Sequence, residues 1–329
     1  MNRTNKNPPR PAPAEAGCRT GFFLVGPTAS GKSAVAQLAA EDGGRAILSA
    51  DSMLIYRGMD IGTAKPGVGD RGRAPHYGID LVRPDENFSV GRYLRRVARQ
   101  LQETDAGRGA ALIVAGGTGL YVNALLYGLE PLPQGDPERR AYWSLRLREG
   151  GAAELREELR RLSPAMLDRL ADADNPRRLM RALELAEAGI DSTARGWAFE
   201  GERPVLVGLR REPDDLSARI EQRVRAMFRA GLADEVRGLI ERYGRLAETA
   251  ERAIGYAEAM DVIAGRCTEN EAIERAALRT RRLAKRQRTW FAHQADVVWV
   301  DVKPDTKEAD IAGEVTAQWG KYGASKLSV

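Results

Sequence analysis

The stretch FFLVGPTASGKSAVAQLAA, residues 22–40, constrains the fold of this chain more than any other. It sets G-x-x-x-x-G-K-S between a short apolar run at 22–25 and an alanine-rich segment of helical spacing at 33–40. A glycine loop in that setting turns a row of backbone N–H groups toward a ligand at the positive end of a helix, which suits phosphate oxygens. The candidate phosphate-binding residues are therefore Gly26, Pro27, Thr28, Ala29, Ser30, Gly31, Lys32 and Ser33. Lys32 is the point charge, and the Ser33 hydroxyl is the expected ligand for Mg2+. The same loop type serves ATP-binding proteins, so the motif alone does not name the ligand.

Further short apolar runs at 46–49 (AILS), 111–114 (ALIV), 205–209 (VLVGL) and 297–300 (VVWV) read as strands. Helical spacing lies between several of them, as at 92–104 and 216–230. Alternation of this kind predicts an α/β fold, a P-loop NTPase-like parallel sheet covered by helices on both faces. The middle of the chain breaks the alternation. Segments such as AAELREELRRL and PRRLMRALELAEAG are nearly all helix formers, entered past Pro131, Pro133 and Pro137 and left at Gly201-Glu202-Arg203-Pro204. The expected organisation is a core domain at 19–136 and 204–320, an all-helical insertion domain at 137–203, and disordered tails at 1–18 and 321–329.

Composition excludes several classes. No apolar run is long enough for a bilayer, and the Pro-rich start has no secretory h-region, so a cytoplasmic protein is expected. Two cysteines (Cys18, Cys267) and two histidines (His76, His293) make neither a disulfide framework nor a zinc site. The net charge of +5 and a pI near 9.3 suit a polyanionic partner.

Three more segments carry chemistry. SADSMLIYRGMDIGTAKP puts Asp51 and Ser52 at the end of the second strand, where open α/β sheets hold their reacting groups. Asp51 there is a candidate general base or water-mediated Mg2+ ligand, against the plainer reading of a strand-end turn. ALIVAGGTGLYVNALLYG ends its strand in AGGT, so Thr118 stands where a P-loop ATPase tends to carry an acid for the metal. Two cationic helices follow. Arg219 and Arg223, four apart, share a face, and LRTRRLAKRQRTWF gathers Arg279, Arg281, Arg282, Lys285, Arg286 and Arg288 without interleaved acids. Such a run beside Trp290 and Phe291 suits nucleic acid, the alternative being a solvated face.

Taken in order, GPTASGKS, DSMLIYRGMDIGTAKP, AGGTGLY, the IEQR helix, RAIGY and TRRLAKRQRTWF resemble the tRNA dimethylallyltransferases, over nearly all of residues 22–299. The absence of a C-terminal zinc-finger extension is expected of the bacterial type. The resemblance implies transfer of a dimethylallyl group from dimethylallyl diphosphate to N6 of the adenosine 3′-adjacent to the anticodon (position 37), in tRNAs reading codons that begin with U. It assigns the loop to the donor diphosphate and Mg2+, Asp51 to the base, Thr118 to the bridging oxygen and Arg223 to the diphosphate. It implies contacts with the tRNA anticodon stem-loop from Asp51, Ser52, Met53, Leu54, Thr118 and Arg140. Arg177, Arg178, Leu179, Met180 and Arg181 would add to these, as would Arg252, Ala253, Ile254, Gly255, Tyr256 and Ala257. Arg282, Lys285 and Arg286 would complete the surface. Ala257 stands where many relatives carry a basic residue. A monomer is expected, with no membrane partner. The competing readings from the residues are a small-molecule or nucleoside kinase and a non-catalytic RNA-binding P-loop protein.

Overall fold

In the computed structural model the described residues are 18–104, 106, 110–129, 132–133, 135–170, 172–190 and 203–329. The chain divides into two compact units, Met1–Gly128 with Glu200–Val329, and Leu129–Phe199.

The first unit is built on seven strands: β1 (Thr20–Val25), β2 (Ile47–Ser49), β3 (His76–Tyr77), β4 (Leu112–Gly116), β5 (Val205–Arg210), β6 (Asp296–Asp301) and β7 (Ser325–Lys326). Their order is β3-β2-β4-β1-β5-β6, all parallel, with β7 antiparallel on the start of β1. Between β1 and β4 run helices α1 (Lys32–Gly43), α2 (Val68–Arg73) and α3 (Val90–Thr104), and α4 (Gly119–Tyr127) follows β4. The second unit holds α5 (Pro137–Leu162), α6 (Pro164–Arg169) and α7 (Pro176–Glu187). After β5 come α8 (Pro213–Arg229), α9 (Leu232–Tyr243), α10 (Glu248–Glu251), α11 (Tyr256–Ile263) and α12 (Glu269–Gln294), and α13 (Glu308–Tyr322) follows β6.

The central strands β1, β4 and β5 are largely apolar because both faces of the sheet are covered. Phe23, Val25, Leu48, Leu112, Val114 and Leu206 point into one layer, with α3, α4, α8, α9, α11 and α12. Their neighbours Leu24, Ile47, Ile113 and Val207 point into the other, against α1 and α13. Period-2 alternation thus feeds two cores from one sheet. In the helical unit, Trp143, Leu155, Leu159, Leu179 and Leu183 make a separate core, and α5 breaks at Gly151, whose φ is +71°.

Two expectations are corrected. Residues 321–329 are ordered: α13 runs to Tyr322, β7 pairs with β1, and Leu327 is buried. The Ser328 N–H donates to Leu125 O at 2.7 Å, so burial and backbone bonds fasten the end of the chain. The helical unit starts at Leu129 and ends at Phe199, not at 137 and 203. The Pro133 carbonyl accepts a bond from Arg181 of α7, which ties the proline-rich entry to the helices. Apart from Cys18, the tail at 1–18 lies outside the described residues, as do Pro131 and the Gly201-Glu202 part of the exit turn.

Leu327→Ala is expected to cost about 2–5 kcal/mol in denaturant unfolding, the usual range for a buried leucine. A dispensable tail would leave the midpoint unchanged.

Candidate active site

The loop from β1 to α1 is drawn into an unusual path. Gly26 (φ +139°) and Gly31 (φ +100°) occupy conformations closed to most side chains, and Ala29 follows at φ +63°, a position that costs a non-glycine residue about 1–2 kcal/mol. At Gly26 a Cβ would also lie 2.7 Å from Leu209 O on β5. Neighbouring elements pin the loop from outside. Arg211, buried and paired with Asp215 at 2.7 Å, donates to Ser30 O at 3.0 Å. Arg219 of α8 donates to Ala29 O at 3.1 Å. Gln287 of α12 accepts the Thr28 N–H at 2.8 Å and donates to Gly117 O at 2.9 Å, which joins the loop to the end of β4.

The loop opens on a cavity of about 450 Å3 that Thr28, Lys32, Ser33, Asp51, Thr63 and Arg223 help to line. Burial pulls the Lys32 ammonium down to about 7; Asp51 opposes that shift and Arg223 adds to it. Burial likewise lowers Arg223, again against the pull of Asp51. Two desolvated cations therefore share one carboxylate. Lys32 Nζ donates to Pro27 O at 2.6 Å, within its own loop. Asp51 Oδ1 accepts the Met53 N–H at 2.8 Å, which fixes the carboxylate at the end of β2. Beneath it Tyr93 is fully buried, its hydroxyl donating to Ser49 O at 2.5 Å, and burial holds its phenol well above the usual range.

Of the expected donor residues, Thr28, Ala29, Gly31, Lys32, Ser33, Asp51 and Arg223 line this one cavity, and Gly26, Pro27 and Ser30 shape the loop behind it. Thr118 stands beside them at the start of α4, its hydroxyl accepting the Ser52 N–H at 3.2 Å and so tying the ends of β2 and β4. The glycines before it are close-approach positions: a Cβ on Gly116 would sit 2.3 Å from Ala50 O, and one on Gly119 would strike the Trp290 ring. Sequence reading missed Gln287. Its signal was there, since Ala284, Gln287 and Phe291 fall on one helical face and both hydrophobic members are buried.

Residues 54–294 match the family described as IPP transferase. The chain belongs to the IPP transferase family. It is similar to the tRNA dimethylallyltransferase of Corynebacterium efficiens, 40% identical over 89% of this chain and 99% of that one. The Geobacter sulfurreducens tRNA dimethylallyltransferase is also 40% identical, over 87% of this chain and 94% of its own. Among solved structures, the full-length tRNA isopentenylpyrophosphate transferase of Bacillus halodurans matches with a TM-score of 0.64 and 33% identity, over 92% of this chain and 98% of that one. A eukaryotic dimethylallyltransferase acting on tRNA shares the fold, with a TM-score of 0.67 at 20% identity over 92% and 76% of the two chains.

The expected RNA-facing residues of this IPP transferase divide by exposure. Arg177, Arg178, Arg252, Arg282, Lys285 and Arg286 are exposed, and Ser52, Met53, Leu54, Met180, Ile254 and Ala257 are half-buried. Leu179, Ala253, Gly255 and Tyr256 are buried, and the side chains of Leu179, Ala253 and Tyr256 pack in the core. Arg140 of α5 pairs with the buried Glu184 of α7 at 2.9 Å and so braces the two helices, while Arg181 pairs with the same carboxylate at 3.1 Å from within α7. Arg279 is tied to the buried Glu258 and to Arg252 O, and leaves the exposed basic row to its neighbours. Among the described residues no acid lies within ion-pair distance of Arg282, Lys285 or Arg286, and no helix is long and apolar enough to cross a membrane.

The lowered Lys32 ammonium gives a signed pH dependence. An arriving diphosphate raises its pKa again, so binding is strongest below about pH 7 and takes up a proton above it. Titration calorimetry with diphosphate at pH 8, in buffers of different ionisation heat, should show this uptake in the wild type and not in Lys32→Arg. Equal uptake in the two proteins would refute it.

Proposed function

We propose that this protein is a tRNA dimethylallyltransferase: it transfers a dimethylallyl group from dimethylallyl diphosphate to N6 of the adenosine 3′-adjacent to the anticodon, position 37, in tRNAs reading codons that begin with U. One observation carries the reading: two half-buried, desolvated cations, Lys32 and Arg223, share the field of the Asp51 carboxylate at the P-loop cavity. The cations match a diphosphate, and the carboxylate matches the proton that an attacking amine must lose. In the reaction the allylic C–O bond breaks with its electron pair leaving on diphosphate, the N6–C bond forms, and Asp51 takes the N6 proton. Lys32, Arg223 and the loop N–H groups stabilise the charge on the departing oxygens.

A resident metal cage is not offered: among the described residues no three His, Cys, Asp or Glu side chains gather to hold an ion. Mg2+ fits differently, since it keeps most of its waters and binds phosphates with few protein ligands. The Ser33 hydroxyl, at the start of α1 on the cavity wall, would hold it together with the diphosphate, where it would supply further charge neutralisation. The adenine, stacked in the free anticodon loop, must be turned out to reach Asp51, at a cost of a few kcal/mol. The exposed row Arg282, Lys285 and Arg286, with Arg177 and Arg178 on the helical unit, offsets that cost through phosphate contacts. In this reading the enzyme works in the cytoplasm as a monomer.

The kinase alternative loses ground at β4. The strand ends in AGGT, with the Thr118 hydroxyl where a P-loop enzyme of that kind tends to carry an acid for the metal.

Asp51→Asn keeps the shape of the carboxylate without its basicity. Single-turnover transfer to unmodified tRNA at saturating donor is expected to slow by about 10²–10⁴-fold. A near-normal rate would remove Asp51 from the base role. For the basic row, replacing Arg282 and Arg286 by Ala should reduce the slope of log K for tRNA against log salt by about 0.7–0.9 per lost contact. A wild-type slope in that double variant would make the row a solvated face.

A further inference from the structure

Residues 59–66 reach the donor cavity at Thr63 and Ala64. Thr63 O accepts from Arg223 Nη2 at 3.2 Å, and among the described residues this is the hydrogen bond that aims the guanidinium. The path of the segment therefore decides where Arg223 points.

Two anchors hold it. Lys65, whose side chain is sealed from solvent, donates to Tyr56 O at 2.6 Å and pairs with Asp60 and Asp80 at 2.7 Å each. The second anchor comes from α9. One oxygen of Glu235 accepts the N–H groups of Asp60 (3.0 Å) and Ile61 (2.7 Å), and the other accepts the Tyr256 hydroxyl at 2.5 Å. Burial first, and then Glu235, push the Tyr256 phenol far above its usual range, so it remains a donor at every working pH. Its ring lies so close to Gly62 that a Cβ there would fall 2.4 Å from it.

We infer that Glu235 is a positioning residue for the donor site: oriented by Tyr256, it holds Asp60 and Ile61 so that the Thr63 carbonyl aims Arg223 at the donor diphosphate. This gives the buried tyrosine of RAIGY a task other than RNA contact, and it rests on the donor-site reading above. Glu235 touches no substrate; it acts through backbone that Arg223 reads. A carboxylate suits the place because two N–H groups and a phenol O–H converge on it and all need an acceptor.

Equilibrium binding of dimethylallyl diphosphate to the full chain without tRNA tests this. Glu235→Gln, which turns an N–H toward one of those donors, should raise the donor Kd by about tenfold. Tyr256→Phe, which keeps the ring in the core, should raise it by about threefold. Both effects should vanish in an Arg223→Ala background, and in steady state both should lower kcat as well as raise KM. Unchanged donor affinity in both single variants, or an equal loss with and without Arg223, would overturn the inference. Normal donor binding by Arg223→Ala would instead overturn the donor-site reading beneath it.

Discussion

Two cations withdrawn from water against one carboxylate form the interaction on which the rest of the structure depends. Desolvating an ammonium or guanidinium costs several kcal/mol unless an opposite charge compensates it. Asp51 compensates in part, and the fall of Lys32 to about 7 shows how far from complete that is. The site is thus built short of negative charge, and an anionic ligand supplies what is missing. Lys32 rests meanwhile on Pro27 O, a bond within its own loop that can be exchanged for a diphosphate oxygen without moving the helix. A cleft of this kind persists only if the backbone around it cannot collapse onto the cations. Hence the pins from Arg211, Arg219 and Gln287 on the loop and from Lys65 and Glu235 on the opposite wall.

That opposite wall changes how DSMLIYRGMDIGTAKP is understood. Its glycines and irregular pattern suggest a working loop and not a packed element. The structure instead makes it a fixed strut: Lys65 is buried among carboxylates, Gly62 is needed for the tyrosine behind it, and Thr63 presents its carbonyl inward. Preorganisation explains the rigidity. A guanidinium that must meet a leaving diphosphate does more for the transition state if no reorganisation is needed when charge develops.

Local patterns made much of this legible in the sequence. The loop, the strands next to it, Asp51 and Arg223 were readable because glycine spacing and apolar runs are local signals. Residues whose role depends on distant partners were not. Glu235 looks like any acid on an amphipathic helix until the fold brings Asp60 and Ile61 to it, across more than 170 positions. Tyr256 was read with its motif as an RNA contact, since burial is a property of the packed chain and not of the pentapeptide. The end of the chain misled for a similar reason. Its polar composition hides one leucine, and pairing with β1 is a long-range event.

Helix α12 shows why the charge run resisted a simple reading. Along one side, Ala276, Ala284 and Phe291 are buried, and Gln287, at the same helical phase, reaches the donor loop and the end of β4. A turn earlier Arg279 locks onto buried Glu258, which also accepts the Gly255 N–H, so this arginine belongs to the scaffold. Arg282, Lys285 and Arg286 lie on the solvent side of the same rod. One rigid helix therefore sets the donor loop with its inner face and presents its cations outward, so the two surfaces keep a fixed register. Charge neutralisation on the outer face leaves the inner bonds intact, whereas loss of Gln287 frees the Thr28 N–H and the Gly117 carbonyl together. The two faces of α12 can for that reason be separated by substitution, even though six basic residues in ten positions look, in sequence, like a single feature.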